Sequence, residues 1–359
     1  MTSRKNDLYP IELSVHRIKK SWGGLPGKIG EIWSLSCHPY ESLAINGFLV
    51  GQRLREIVGE FQQNLLGKDI ELDPKEPFPF LLRFISTSKT LPVQVHPDDN
   101  YACEEGLSMV GIDKLFYIVS AKPESIIYSG FRDKISSKKV ADSVKKHSIR
   151  QLMNKVRVKT GDVYTIPAGR IHSIGKGVTL LEIQRHSSLN FVLSDFEDNN
   201  IKKIDAASPL TEALKFLDFK PVSPETIYKV TVSSNDNQID WLGITPSFML
   251  RKLYIRKSLE FTLPGNRFLV YTGLRGNGWL KWGLSDISIF ILPGQSILVP
   301  AVSEDVLFET RDGFEIIETS IPDLSIDTLE QISAFGVSHE RIVGLGGDDY
   351  GKIIKECLY

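Results

Sequence analysis

Lys159-Thr160-Gly161-Asp162, running on as Val163-Tyr164-Thr165-Ile166-Pro167, is a unit of strand, glycine turn, strand and proline. It returns as Pro293-Gly294-Gln295-Ser296 with Ile297-Leu298-Val299-Pro300. Before the first turn, Val156 to Lys159 alternates apolar and polar residues, the period of a half-buried strand. Around both units lie further β-branched and apolar runs: Val178 to Ile183, Phe268 to Tyr271, Ile287 to Leu292 and Phe314 to Ile317. Short strands at this spacing, punctuated by Gly and Pro, predict barrels or sandwiches.

Helical spacing is rarer. Gln52 to Leu66 places Leu54, Ile57, Val58, Phe61 and Leu65 on one face. Ser136 to Val156 opens on a serine cap and predicts a second helix. Ser208 to Leu217 predicts a third, and Ile326 to Phe335 a fourth. Gly344 to Gly351 reads as a glycine-rich loop, without the strand-and-helix context of a nucleotide site.

The repeated Gly-to-Pro rhythm is that of a cupin barrel. Its recurrence predicts a mainly β double cupin, two jelly-roll barrels with a few inserted helices. The expected division is 1–222 for a metal-binding barrel, 223–322 for a structural barrel and 323–359 for a helical, glycine-rich tail. The second half has no histidine between His186 and His339, so it offers no His-based metal centre.

Bulk properties narrow the function. The 43 basic and 44 acidic side chains nearly cancel, which argues against a nucleic-acid surface. Three cysteines without a CxxC spacing fit a reducing compartment. The first twenty residues hold no apolar signal segment, and no run approaches the ~20 residues that span a bilayer. The expectation is a cytoplasmic protein with no nucleic-acid or membrane partner; oligomeric state is not readable.

The chemistry concentrates in Gln94-Val95-His96-Pro97-Asp98-Asp99. Residues i and i+2 of a strand share a face, so Gln94 and His96 address one point. Pro167-Ala168-Gly169-Arg170-Ile171-His172 brings a second histidine from the repeated unit. Imidazole nitrogen and an amide oxygen are donors that suit zinc.

These segments resemble the type I mannose-6-phosphate isomerase family. So do Trp22-Gly23-Gly24, Gly30-Glu31-Ile32-Trp33-Ser34-Leu35-Ser36-Cys37-His38-Pro39, Pro77 to Phe84 and Leu181-Glu182-Ile183-Gln184. The likeness runs from about Ile18 to Phe196 and is looser as far as Pro322. It implies Zn2+ on Gln94, His96 and His172. It also implies a small-molecule sugar phosphate as partner, and conversion of mannose 6-phosphate to fructose 6-phosphate through an enediol.

The chain departs from the family pattern inside the pocket. A Lys-x-Glu stretch that supplies an acid/base and a metal ligand is here Ile112-Asp113-Lys114. An Asp and an Arg of the family fall on Ser188 and Val192, and Arg83 stands where Lys is usual. Lys114 is therefore the candidate catalytic group, and Glu182, Arg170 and Arg185 are the candidate substrate contacts. The residues leave three alternatives for Lys114: a neutral ligand, a base, or an ammonium in the metal's place paired with Glu182. A one-residue bulge would turn Asp113 inward instead. Lys122-Pro123-Glu124 imitates the missing motif but is expected in a solvent turn. The functional readings are an isomerase of the family's type, a non-catalytic sugar-phosphate-binding or regulatory pseudoenzyme, and an isomerase or epimerase of another sugar.

Overall fold

The computed structural model describes residues 8–72, 77–106, 110–187, 189–194, 207–234, 236–263, 265–283, 288–303, 305–324 and 326–358. Its backbone is mainly β, in antiparallel sheets with a few helices, and the architecture is a double cupin. Two compact units form, each stitched from separate stretches: 17–32 with 82–226, and 1–16 with 33–81 and 227–359.

The second-listed unit is built from strands 249–255, 314–320, 269–276 and 296–299, hydrogen-bonded in that order within a seven-stranded sheet. A four-stranded sheet made of Ser258–Phe261, Val306–Glu309, Gly278–Trp282 and Ser288–Ile291 supplies its other wall. Leu253, Tyr271, Ile297 and Ile316 from the first sheet pack with Leu280, Ile291 and Phe308 from the second. Burying such side chains between two sheets is what the alternating runs predict, at roughly 1.5–3 kcal/mol each.

The other unit repeats the plan. Its strands 80–86, 178–185, 114–121 and 163–166 follow one another in a six-stranded sheet, the same order as in the first. A five-stranded sheet runs through Phe191–Ser194, Val93–Val95, His172–Ile174, Ile126–Phe131 and Met153–Arg157. The two glycine turns sit at matching places: Gly161 (φ 94°) precedes Val163–Ile166, and Gly294 (φ 84°) precedes Ser296–Val299. Both glycines take a backbone conformation that other residues resist.

The helix at Leu54–Leu66 buries the predicted stripe, and helices form at Ala207–Phe216 and Ile326–Ala334. Two expectations need correction. The helix opening at Ser136, whose Oγ accepts from the Lys139 amide, ends at Lys145. His147 adopts φ 52°, which a helix cannot continue through, and the chain becomes a strand by Met153. Nor is Gly344 to Gly351 a loop. His339–Gly344 and Gly347–Leu358 are helices with two residues between them. A Cβ on Gly346 would lie 2.6 Å from backbone atoms of Tyr350 and Gly351, so glycine here permits close packing. None of the described helices is long and apolar enough to cross a membrane.

Candidate active site

The candidate site residues all lie in the 17–32/82–226 unit. Strand Val93–Val95 pairs with His172–Ile174, and Gln94 stands directly opposite His172. His96 follows the strand. The turn between Ile166 and His172 is tied to it, since the Gly169 amide donates to the His96 carbonyl at 2.7 Å. The two imidazoles meet with ring centroids 5.2 Å apart. Phe116 closes one side, edge-on to His172 at 6.0 Å.

Each imidazole is oriented by its backbone. His96 Nδ1 donates to the Leu189 carbonyl at 2.8 Å, and His172 Nδ1 donates to the Arg170 carbonyl at 2.9 Å. A carbonyl only accepts, so the proton sits on Nδ1 and each Nε2 carries a lone pair. Both Nε2 atoms are buried without a hydrogen-bond partner among the described residues. The amide Oε1 of Gln184 is a third buried acceptor in the same condition.

Opposite Gln184, on strand 114–121, stands Lys114. Its side chain is 1% exposed, and its Nζ lies 3.2 Å from Glu182 Oε2. The other carboxylate oxygen of Glu182 takes the Arg83 Nε–H at 2.6 Å. Burial, opposed by Glu182 and assisted by Arg83, brings the Lys114 ammonium down to about 8. Burial would raise Glu182, but Arg83 and Lys114 outweigh it and hold the carboxyl below its ordinary range. The imidazoles are held neutral: burial first, then the Lys114 charge, takes His172 to about 3, and the same causes put His96 well below 6.5.

The other candidates are placed as follows. Arg170 is half-buried in the turn before His172. Arg185 ends strand 178–185, and its guanidinium contacts Asp99 at 2.6 Å. Asp113 does not take the inward position; its Oδ1 accepts from the Ala168 amide at 2.9 Å and braces the His172 turn. Lys122-Pro123-Glu124 forms the turn after strand 114–121, with Glu124 paired to Arg157 at 2.5 Å in solvent. Val192, where the family pattern has a cation, pairs in register with Gln94. Ser188 lies outside the described residues. The role of Arg83 as partner of Glu182 was not readable, since the two are 99 positions apart.

No protein-family model matches the chain. Mannose-6-phosphate isomerase of Streptococcus mutans is 28% identical over 306 residues, covering 81% of this chain and 92% of that protein. Mannose-6-phosphate isomerase ManA of Bacillus subtilis is 29% identical over 190 residues, 50% of this chain and 58% of its own. The crystal structure of a Bacillus subtilis mannose 6-phosphate isomerase superposes with a TM-score of 0.75, at 24% identity, over 87% of this chain and 99% of that one. Over most of its length this chain is similar to mannose-6-phosphate isomerases, in sequence and in fold. The structural likeness is one of fold, and it agrees with the two cupin barrels described above.

The zinc that this family resemblance implies can be set against the donors present. Two oriented Nε2 lone pairs and the amide of Gln94 are neutral donors. The position expected to bring a carboxylate brings the Lys114 ammonium. Glu182 is committed to Arg83 and Lys114, and Asp113 to the turn. Among the described residues, no group of three His, Cys, Asp or Glu side chains is placed to hold a metal. At about 4 Å and an effective dielectric near 20, each unit of like charge costs roughly 4 kcal/mol, twice that for a dication. The residues present do not fit a zinc ion.

Proposed function

We propose that this chain is a sugar-phosphate aldose–ketose isomerase of the mannose-6-phosphate type, with Lys114 as its proton-transfer group. The observation that carries the reading is the buried amine of Lys114, whose charge acts on two neutral imidazoles with buried, unpartnered Nε2 atoms. Isomerisation moves a proton between C1 and C2 while an oxygen gains negative charge in the enediol. The Lys114 ammonium protonates or stabilises that oxygen, and a neutral imidazole Nε2 accepts the carbon-bound proton. The two steps favour each other. As Lys114 gives up its proton, the positive charge that keeps the imidazoles from protonating leaves. An amine near 8 is close to the working pH, where acid–base catalysis is most effective. Gln184 Oε1 is an acceptor for a sugar hydroxyl, and Arg170 and Arg185 are cations for the phosphate.

A second reading is a non-catalytic sugar-phosphate binder. It is favoured by Val192, which puts an isopropyl group beside Gln94 where the family pattern expects a guanidinium. Turnover of mannose 6-phosphate to fructose 6-phosphate by the purified protein, with and without added zinc, separates the two. Turnover of ~1 s⁻¹ or more, falling by roughly 10²–10⁴ in Lys114→Met, supports the isomerase. Saturable binding with no turnover of any hexose or pentose phosphate overturns it in favour of the binder. Turnover of another sugar phosphate alone keeps the reaction class and changes the substrate.

A further inference from the structure

We infer that this cluster of side chains is built to be free of metal, and that the Lys114 ammonium, anchored by Glu182 and backed by Arg83, is its resident positive charge. The inference concerns the pocket of the proposed reaction but stands whether or not the chain turns over substrate.

Three observations meet here. Lys114 is 1% exposed, yet among the described residues its ammonium has a single side-chain partner, Glu182 Oε2 at 3.2 Å. A buried ammonium with one carboxylate acceptor keeps two further N–H bonds to direct at a ligand. Glu182 is fully buried and divided between Arg83 at 2.6 Å and Lys114, so each of its oxygens already faces a cation. Three acceptors complement this cation: His96 Nε2, His172 Nε2 and Gln184 Oε1 are buried and have no hydrogen-bond partner among the described residues. In a metal centre the imidazole lone pairs would point at a dication. Here they share their surroundings with a fixed ammonium, whose charge already depresses both imidazoles. A second cation would have to overcome that charge without any carboxylate to compensate it. A sugar meets the same set without conflict, because its hydroxyls donate to the Nε2 and Oε1 atoms and accept from the ammonium.

The test is metal content and zinc binding, not activity. Wild-type protein is expressed in zinc-supplemented medium and assayed by plasma mass spectrometry, then titrated with zinc chloride alone. The same is done for Lys114→Glu, which restores a carboxylate beside the imidazoles, and for Lys114→Gln, which only removes the charge. Thermal unfolding establishes that each variant folds. Wild type is expected to carry well under one equivalent of zinc. Lys114→Glu is expected to take up one equivalent, with affinity raised roughly a thousandfold, and to lose it on adding His172→Ala. Lys114→Gln is expected to fall between them. Two results overturn the inference. One is wild type holding an equivalent of zinc that His172→Ala abolishes. The other is a folded Lys114 variant, Glu or Gln, that binds zinc no better than wild type. An inactive, zinc-free protein would leave this inference intact while overturning the isomerase reading. An active protein with a His172-dependent zinc would do the reverse.

Discussion

Lys114 Nζ lies 3.2 Å from Glu182 Oε2, and neither side chain reaches solvent. The pair is asymmetric in its dependencies, because Glu182 has a second cation in Arg83 whereas Lys114 has one anion among the described residues. Glu182→Gln therefore takes the carboxylate from both cations and leaves the buried Lys114 ammonium without the anion it pairs with. It should cost about 3–5 kcal/mol. Lys114→Met leaves Glu182 still paired with Arg83 and should cost about 1–2 kcal/mol. Urea unfolding checks the order. Equal losses, or a larger loss for Lys114→Met, would mean that Arg83 does not stabilise the carboxylate alone.

The other unit carries the same device on the corresponding strands. Arg251 on strand 249–255 holds Glu318 on strand 314–320 through two hydrogen bonds of 2.7 and 2.6 Å. Where the first unit adds Lys114, this one adds Tyr271, opposite Glu318 in register. The buried Arg–Glu pair thus recurs in the barrel that has no histidine pair, so its common role is to join two strands. Arg251→Met is expected to cost about 3–5 kcal/mol by leaving the buried Glu318 carboxylate without its cation. Sugar-phosphate binding, followed by isothermal titration, should be unchanged in whatever fraction stays folded.

Acid should act through the imidazoles before it reaches the carboxylates. An unfolded imidazole titrates near ~6.5. In the fold His172 is held to about 3 and His96 well below its ordinary value, by burial first and the Lys114 charge second. As pH falls below ~6.5 the unfolded chain binds two protons that the folded chain refuses. Their contribution is complete above ~6.5 and is lost on the way down towards pH 3. The expected slope is about 1.4 kcal/mol per pH unit for each imidazole. Glu182, depressed in the fold, adds to the loss only below ~4.3. Unfolding free energies measured between pH 7 and 4.5 should show a slope near two protons, reduced to near one in His172→Gln. A flat profile would mean that the folded imidazoles take up protons as readily as unfolded ones.

What could be read from the sequence, and what could not, divides along a physical line. The two Gly-to-Pro units are local, with a left-handed glycine turn at Gly161 and Gly294, and their recurrence shows up as one strand order used twice. Gln94, His96 and His172 were visible because each sits in a short motif. The Lys114–Glu182 pair was one alternative among three, since strand alternation gives the face of a side chain but not its partner. Arg83 with Glu182 and Arg185 with Asp99 join residues 99 and 86 positions apart, and such pairs leave no periodic trace. The helix predicted from Ser136 to Val156 ran too long because apolar spacing persisted past His147, where the backbone turns left-handed. The glycines at 344–347 looked like loop residues because close helix packing and loops both select glycine.

The turn that carries His172 offers the sharpest mutational test of how the site is held. Gly169 has φ 77°, a region costly for any residue with a Cβ. A Cβ there would also lie 2.7 Å from the Phe216 carbonyl oxygen, which belongs to the backbone and cannot swing away. The same glycine donates to the His96 carbonyl and accepts from the Asp218 amide, and Asp113 braces its neighbour Ala168. Gly169→Ala therefore strains the segment linking the two histidines and should cost about 1–3 kcal/mol. Asp113→Ala removes one brace without strain and should cost about 1 kcal/mol. The signature of a positioning role lies in ligand affinity: both variants should weaken sugar-phosphate binding at a temperature where they remain folded, Gly169→Ala the more. If Gly169→Ala lowers the unfolding midpoint but binds like wild type, the turn supports the fold without setting the distance between the imidazoles.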